Sequence, residues 1–175
     1  MALPPTRLTL VLGGARSGKS RYAEALVAAL APPWAYVATA EAHDAEMAER
    51  IAHHAARRGA DWITHEVPLD LAGALARLGS DPAPVLVDCL TLWLSNIMLA
   101  GRDVEAESAR LREALSAMAG PVVLVSNEVG LGIVPDNALA RAFRDAQGRL
   151  NAAVAADAGH VVLMAAGLPL TLKQP

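Results

Sequence analysis

Short apolar runs alternate along the chain with longer stretches in which apolar positions recur every three or four residues. Runs of strand length at 8–12, 35–38, 63–67, 85–88, 122–126 and 161–165, with a last short one at 170–172, predict β-strands. The stretches 20–30, 45–58, 69–78, 90–100, 104–118 and 137–158 predict helices. This alternation is the signature of an α/β fold with a mainly parallel sheet covered by helices on both faces. Ala31-Pro32-Pro33 and Asp81-Pro82-Ala83-Pro84 punctuate the units, because proline stops a helix and sets an extended approach to the next strand. Neither is long enough to link two domains, and no repeat interrupts the pattern, so the 175 residues are expected to form one domain. The Ala-rich stretch 137–158 keeps no heptad and reads as packing surface rather than coiled coil.

Composition narrows the picture. A net charge of −3 with sparse charged residues gives no basic footprint for nucleic acid. The single cysteine, Cys89, rules out an internal disulfide framework and suits a reducing compartment. It is expected to lie buried beside a strand end, without chemistry of its own. The apolar run 8–12 is too short for the core of a signal peptide, and no stretch is long enough to span a bilayer. A soluble, cytoplasmic protein is the expectation.

The chemistry begins at Gly13-Gly14-Ala15-Arg16-Ser17-Gly18-Lys19-Ser20, which fits G-x-x-x-x-G-K-[ST]. Glycines let the backbone turn its N–H groups inward around phosphates. Lys19 is placed to reach the β- and γ-phosphates, and Ser20 offers a hydroxyl to Mg²⁺ at the start of a helix whose dipole favours anions. A predicted strand before it and a predicted helix after it supply the required setting, so the chain is expected to bind a nucleoside triphosphate. Val85-Leu86-Val87-Asp88 is an apolar strand ending in an acid, the place from which a carboxylate helps hold Mg²⁺ in such proteins.

The helix predicted at 45–58 carries adjacent histidines. Asp44 is a plausible N-cap, with Glu46 in the first turn. Met47, Ile51 and His54 fall at i, i+4 and i+7 on one face, while Glu46, Glu49, Arg50 and His53 share the polar side. His54 is thus directed inward and His53 outward. An inward histidine suits a hydrogen-bonded core residue; it also suits a nucleophile, since neutral imidazole attacks phosphorus. A metal pair is disfavoured because neighbours on a helix diverge by about 100°. Arg57 and Arg58 suit either a solvated helix end or contacts to phosphate oxygens. In the loop 126–135, Glu128 either orients a reacting group or simply shapes a turn.

Over nearly its whole length the chain resembles the bifunctional adenosylcobinamide kinase/adenosylcobinamide-phosphate guanylyltransferase family of cobalamin biosynthesis. The resemblance is carried by the loop 13–20, Tyr36-Val37-Ala38-Thr39-Ala40, Glu46-Met47, Arg50-Ile51, His54, Arg58, Trp62 and Glu66. It continues through Ser126-Asn127-Glu128-Val129-Gly130-Leu131-Gly132-Ile133-Val134-Pro135, Phe143-Arg144-Asp145 and Gly148-Arg149-Leu150-Asn151. It implies a single-domain, RecA-like P-loop NTPase fold and two reactions. ATP or GTP phosphorylates adenosylcobinamide; GTP then guanylylates a histidine, matched by His54, and the GMP passes to adenosylcobinamide phosphate. Lys19 and His54 are the implied catalytic residues. Nucleotide contacts are implied at Gly13, Gly14, Ala15, Arg16, Ser17, Gly18, Lys19 and Ser20, then at Thr39, Ala40, Glu41, Ala55, Ala56, Arg57, Arg58, Glu66 and Asp88. Mg²⁺ is implied at Ser20 and Asp88, and the assembly is implied to be a homotrimer. Asp88 stands where some relatives carry Glu, a shorter reach to the same role. The simpler alternatives are a monofunctional small-molecule kinase with His54 in its core, and a nucleotide-driven switch acting on a partner.

Overall fold

A computed structural model describes residues 7–42, 45, 49 and 58–174. In chain order its elements are β1 (Leu8–Gly13), α1 (Lys19–Ala28), β2 (Trp34–Ala38), β3 (Trp62–Glu66), α2 (Leu71–Leu78) and β4 (Val85–Asp88). They continue with α3 (Leu90–Leu99), α4 (Val104–Ala117), β5 (Val122–Asn127), α5 (Ala138–Asp157), β6 (His160–Ala165) and β7 (Leu168–Lys173). The expected helix at 45–58 lies almost wholly outside the described residues; Ala45 and Glu49 are helical and exposed, and Arg58 sits in a bend.

The seven strands form one sheet in the order β3-β2-β4-β5-β1-β6-β7. Six are parallel, and β7 turns back antiparallel to β6. The α/β expectation and the parallel sheet hold. The last strand is longer than the expected 170–172, because the Ala166–Gly167 turn, with both φ angles positive (51° and 79°), closes a tight hairpin. Nothing in the apolar pattern marked that turn.

Successive residues of a strand face opposite sides, so the inner parallel strands feed two cores, while the edge strand β3 adds only Trp62 to one of them. Leu10, Leu12, Val37, Val87 and Leu124 pack with α2, α3, α4 and α5 through residues such as Leu75, Trp93, Leu111 and Leu150. Val11, Tyr36, Leu86, Val123, Val125 and Val162 pack on the other face against Ala23, Leu26 and Val27 of α1. Helices therefore cover both faces. The buried positions of α5 are Ala146, Gln147, Leu150, Asn151 and Val154, a stripe with two amides in it. The long helix is packing surface, as its sequence predicts, but the surface is partly polar.

Candidate functional site

Because the six parallel strands point the same way, their carboxyl ends form one rim, the place where ligands bind in open α/β sheets. Register pairs Gly13 with Asn127, Ala38 with Asp88, and Ala38 with Glu66. Glu66, Ala38 and Asp88 thus lie in one row, with the two acids' backbones two strand spacings, about 10 Å, apart.

The loop at 13–20 leaves β1 and enters α1 as expected. Gly18 is the N-cap of α1 with φ 90°, a left-handed conformation that glycine takes without strain. A side chain at Gly13 would put its Cβ 2.8 Å from the Met164 carbonyl, so the strand end admits only glycine without rearrangement. The Ala166–Gly167 hairpin turn abuts the loop, with Gly167 Cα in van der Waals range of any Cβ placed at Gly18. Gly14, Ala15 and Arg16 are exposed at its outer side, whereas Ser17 and Lys19 are enclosed. Lys19 Nζ donates to the Gly14 carbonyl at 3.1 Å, folding the cation back across the loop. Ser20 is half-buried in the first turn of α1.

Asp88 ends β4 and accepts a hydrogen bond on Oδ2 from the Tyr36 hydroxyl at 3.1 Å. Burial, reinforced by the Asp88 charge, pushes the Tyr36 phenol far above its ordinary pKa, so it remains a donor. The Arg58 guanidinium lies over the Tyr36 ring, 3.6 Å from its centroid, and Trp62 meets the same ring edge-on at 6.0 Å. Arg58 Nε and Nη1 are enclosed without a hydrogen-bond partner among the described residues. Arg58 is therefore placed beside the acid-bearing rim and not on a solvated helix end. Neither Tyr36 nor the stack was singled out from sequence as part of the site. The available signal was a tyrosine inside an apolar strand, whose hydroxyl must find a partner when buried.

Thr39 is fully enclosed, and its hydroxyl is committed to the backbone of Cys89, donating to the carbonyl at 2.7 Å and accepting from the N–H at 2.8 Å. Asn96 Nδ2 donates to the Thr39 carbonyl at 2.8 Å and fixes the chain as it leaves β2. Ala40 and Glu41 are half-buried just beyond, and Glu66 is exposed. The Asp88–Cys89 peptide is cis. Cys89 is buried as expected, and burial, followed by the Asp88 charge, raises its thiol to about 11. Glu128 binds in two places: its N–H donates to the Gly13 carbonyl at 3.1 Å, and its Oε1 accepts from the Gly130 N–H at 2.5 Å. The carboxylate thus shapes its own turn. His53, His54, Ala55, Ala56 and Arg57 lie outside the described residues.

Ser20 and Asp88 supply a hydroxyl and a carboxylate, the hard oxygen donors that suit Mg²⁺, which fills its remaining positions with water and phosphate oxygens. Among the described residues no group of three or more His, Cys, Asp or Glu gathers to hold a metal by itself. A donor set this small fits an ion shared with a nucleotide. A cavity of about 710 Å³ lined by Arg7, Arg112, Asp157 and neighbours opens at the opposite, amino-terminal rim, far from this chemistry.

Comparison with known proteins agrees with this geometry. Residues 9–172 match the profile of the family described as cobinamide kinase / cobinamide phosphate guanyltransferase. The bifunctional adenosylcobalamin biosynthesis protein CobP of Pseudomonas aeruginosa is 48% identical over 94% of this chain and 96% of its own length. The bifunctional adenosylcobalamin biosynthesis protein CobU of Salmonella typhimurium is 42% identical over 95% and 99%. Among solved structures the RadB recombinase superposes with a TM-score of 0.53 at 19% identity, over 93% of this chain and 76% of that one. This last likeness is one of fold, and it places the sheet among RecA-like P-loop proteins.

Proposed function

The chain belongs to the cobinamide kinase / cobinamide phosphate guanyltransferase family, transferases with both activities, and we propose the following course for its two reactions. ATP or GTP first phosphorylates the aminopropanol hydroxyl of adenosylcobinamide. The hydroxyl oxygen bonds to the γ-phosphorus and gives up its proton to solvent, the bond from that phosphorus to the β-bridging oxygen breaks, and a nucleoside diphosphate leaves. In the second reaction a neutral His54 nitrogen bonds to the α-phosphorus of GTP and pyrophosphate departs. A phosphate oxygen of adenosylcobinamide phosphate then takes the guanylyl group, breaking the N–P bond and giving adenosylcobinamide-GDP.

The observation that carries this reading is the alignment of the loop 13–20 with Asp88 along one rim of the sheet. Loop N–H groups and Lys19 hold the phosphates, while Arg58, Glu66 and the chain at 39–41 flank the nucleotide. Mg²⁺ held by Ser20 and Asp88 would offset charge on the phosphates. The two attacked phosphorus atoms are separated by two phosphate units, and in-line attack requires an approach of about 3–3.5 Å. Either the nucleotide or the segment bearing His54 therefore shifts between the steps. The reading extends to one domain acting in the cytoplasm as a homotrimer. Leu168, Leu170 and Leu172 of β7, all more than half exposed, are apolar surface that such an assembly would cover.

The test uses GTP labelled at the α-phosphate, followed by denaturation. Protein-bound label that is acid-labile and alkali-stable, lost in His54→Ala and kept in His53→Ala, is the expected result. Label that survives His54→Ala would move the nucleophile elsewhere, and an unlabelled wild type would leave only a kinase.

A further inference from the structure

Tyr36 stands in β2, and Asp88 ends the neighbouring β4. Register sets Ala38 beside Asp88 and Tyr36 beside Leu86, so the tyrosine lies two residues back along the same face of the sheet. A diagonal step of this kind is within reach of an aromatic side chain. The Tyr36 hydroxyl spans it and donates to Asp88 Oδ2 at 3.1 Å.

The ring behind that hydroxyl is held from several sides. Tyr36 is 4% exposed, in the cluster of Leu26, Val27 and Leu86 beneath α1. Trp62 meets it edge-on, Trp34 leans on Trp62 with ring centres 5.1 Å apart, and the Arg58 guanidinium covers its face. A ring packed in this way gives its hydroxyl few positions. The Asp88 carboxylate has no such frame. It is half-buried at a strand end, its last torsion is soft, and among the described residues no other hydrogen bond reaches it. A buried phenol needs only some acceptor, and a main-chain carbonyl would do. Here the bond goes to a charged group on the rim. It engages Oδ2 and leaves Oδ1 available to a cation or to water bound by one. Mg²⁺ demands near-octahedral geometry, and hydrogen bonds that orient carboxylate ligands are worth about ten- to a hundredfold in affinity.

Resting on the reading of Asp88 as a magnesium-linked acid, we propose that Tyr36 is a positioning residue for the nucleotide site. Its hydroxyl holds the Asp88 carboxylate in the orientation that serves Mg²⁺, and so strengthens nucleotide binding through the ion. Tyr36 itself touches neither nucleotide nor acceptor in this role; it acts only through Asp88.

The experiment measures Kd for GTP by calorimetry with saturating Mg²⁺ and again with Mg²⁺ chelated, in a His54→Ala background so that no adduct forms. The ratio of the two constants is the strengthening that ion and nucleotide lend each other. Tyr36→Phe, which loses only the hydroxyl, should cut that ratio by about tenfold and leave the constant without Mg²⁺ within about twofold. In an Asp88→Asn protein, whose ratio is already low, the same change should alter it by less than about twofold, because the group being positioned is gone. Thermal unfolding without nucleotide shows whether Tyr36→Phe is folded. If it is not, Tyr36→Met, which fills gaps flexibly and lacks the donor, is read in its place. A ratio kept in the Tyr36 variant, even with a lowered thermal midpoint, would overturn the assignment and leave the hydroxyl a packing feature. So would an equal fall in the Asp88→Asn background. A parent protein that binds GTP equally with and without Mg²⁺ would remove the ion's role and the assignment while nucleotide binding stood. One that binds no GTP would remove the underlying reading as well.

Discussion

Lys19 is almost wholly enclosed, and its ammonium leans on the Gly14 carbonyl inside the loop that it serves. A cation held in this place is available to phosphate oxygens with little rearrangement, and preorganised charge of this kind usually contributes a large part of the rate. Lys19→Met should therefore lower kinase turnover by about a hundred- to a thousandfold. Its thermal midpoint should stay within a few degrees of the parent's, and steady-state assays beside a melting curve check both. The eight residues from Gly13 to Ser20 were legible in sequence because their chemistry is local: spacing alone sets which N–H groups and which cation converge. Tyr36 was not legible as a partner of Asp88, since the two are 52 positions apart and meet only because β2 and β4 are neighbours. Glu128 stayed ambiguous for a different reason: a loop carboxylate can turn back on its own N–H groups or outward, and only the structure shows it on the Gly130 N–H.

Three of the described helices, α2, α4 and α5, begin where a side chain satisfies loose N–H groups of the first turn. Asp103 accepts from the N–H groups of both Glu105 and Ala106, at 3.0 and 3.1 Å, and opens α4; Asn137 opens α5 by accepting from Ala140 at 2.7 Å. Asp103→Ala should destabilise the protein by about 1 kcal/mol, the usual worth of such a cap, with guanylyl transfer unchanged. A denaturant midpoint equal to the parent's would show that water replaces the carboxylate at no cost. The apolar periodicity placed α4 at 104–118 and the helix ends at Ala117, because burial repeats with the helical turn. It did not foresee that the stripe of α5 contains Gln147 and Asn151. Two amides spaced by four on an otherwise apolar face are the trace that their buried hydrogen bonds with Ser126 leave in the sequence.

At the scale of the molecule the order of the strands was the least readable feature, because each crossover can land on either side of its predecessor. Periodicity supplied the class and likeness to a known family the type of fold, while the order itself came from the structure. The base of the sheet carries its own consequence for acid. His160 starts β6 with 3% exposure, and burial lowers its pKa below the ordinary 6.5. It takes up a proton less readily in the fold than in the unfolded chain, which protonates as pH falls below about 6.5; stability should therefore decline from pH 7 to pH 5. Denaturant midpoints of His160→Leu should decline less over that range, and parallel profiles for the two proteins would refute the assignment. His160 belongs to the amino-terminal rim, together with Arg7, whose guanidinium donates to the Ser116 and Met118 carbonyls, and with the Arg112–Asp157 pair. Parallel strands therefore separate two vulnerabilities along one axis. If the proposed function holds, substitutions at the lower rim should cost stability, and substitutions at the upper rim should cost activity with the fold retained. A lineage adapting to heat has the lower rim to revise freely, and one adapting to a new acceptor must work at the upper one.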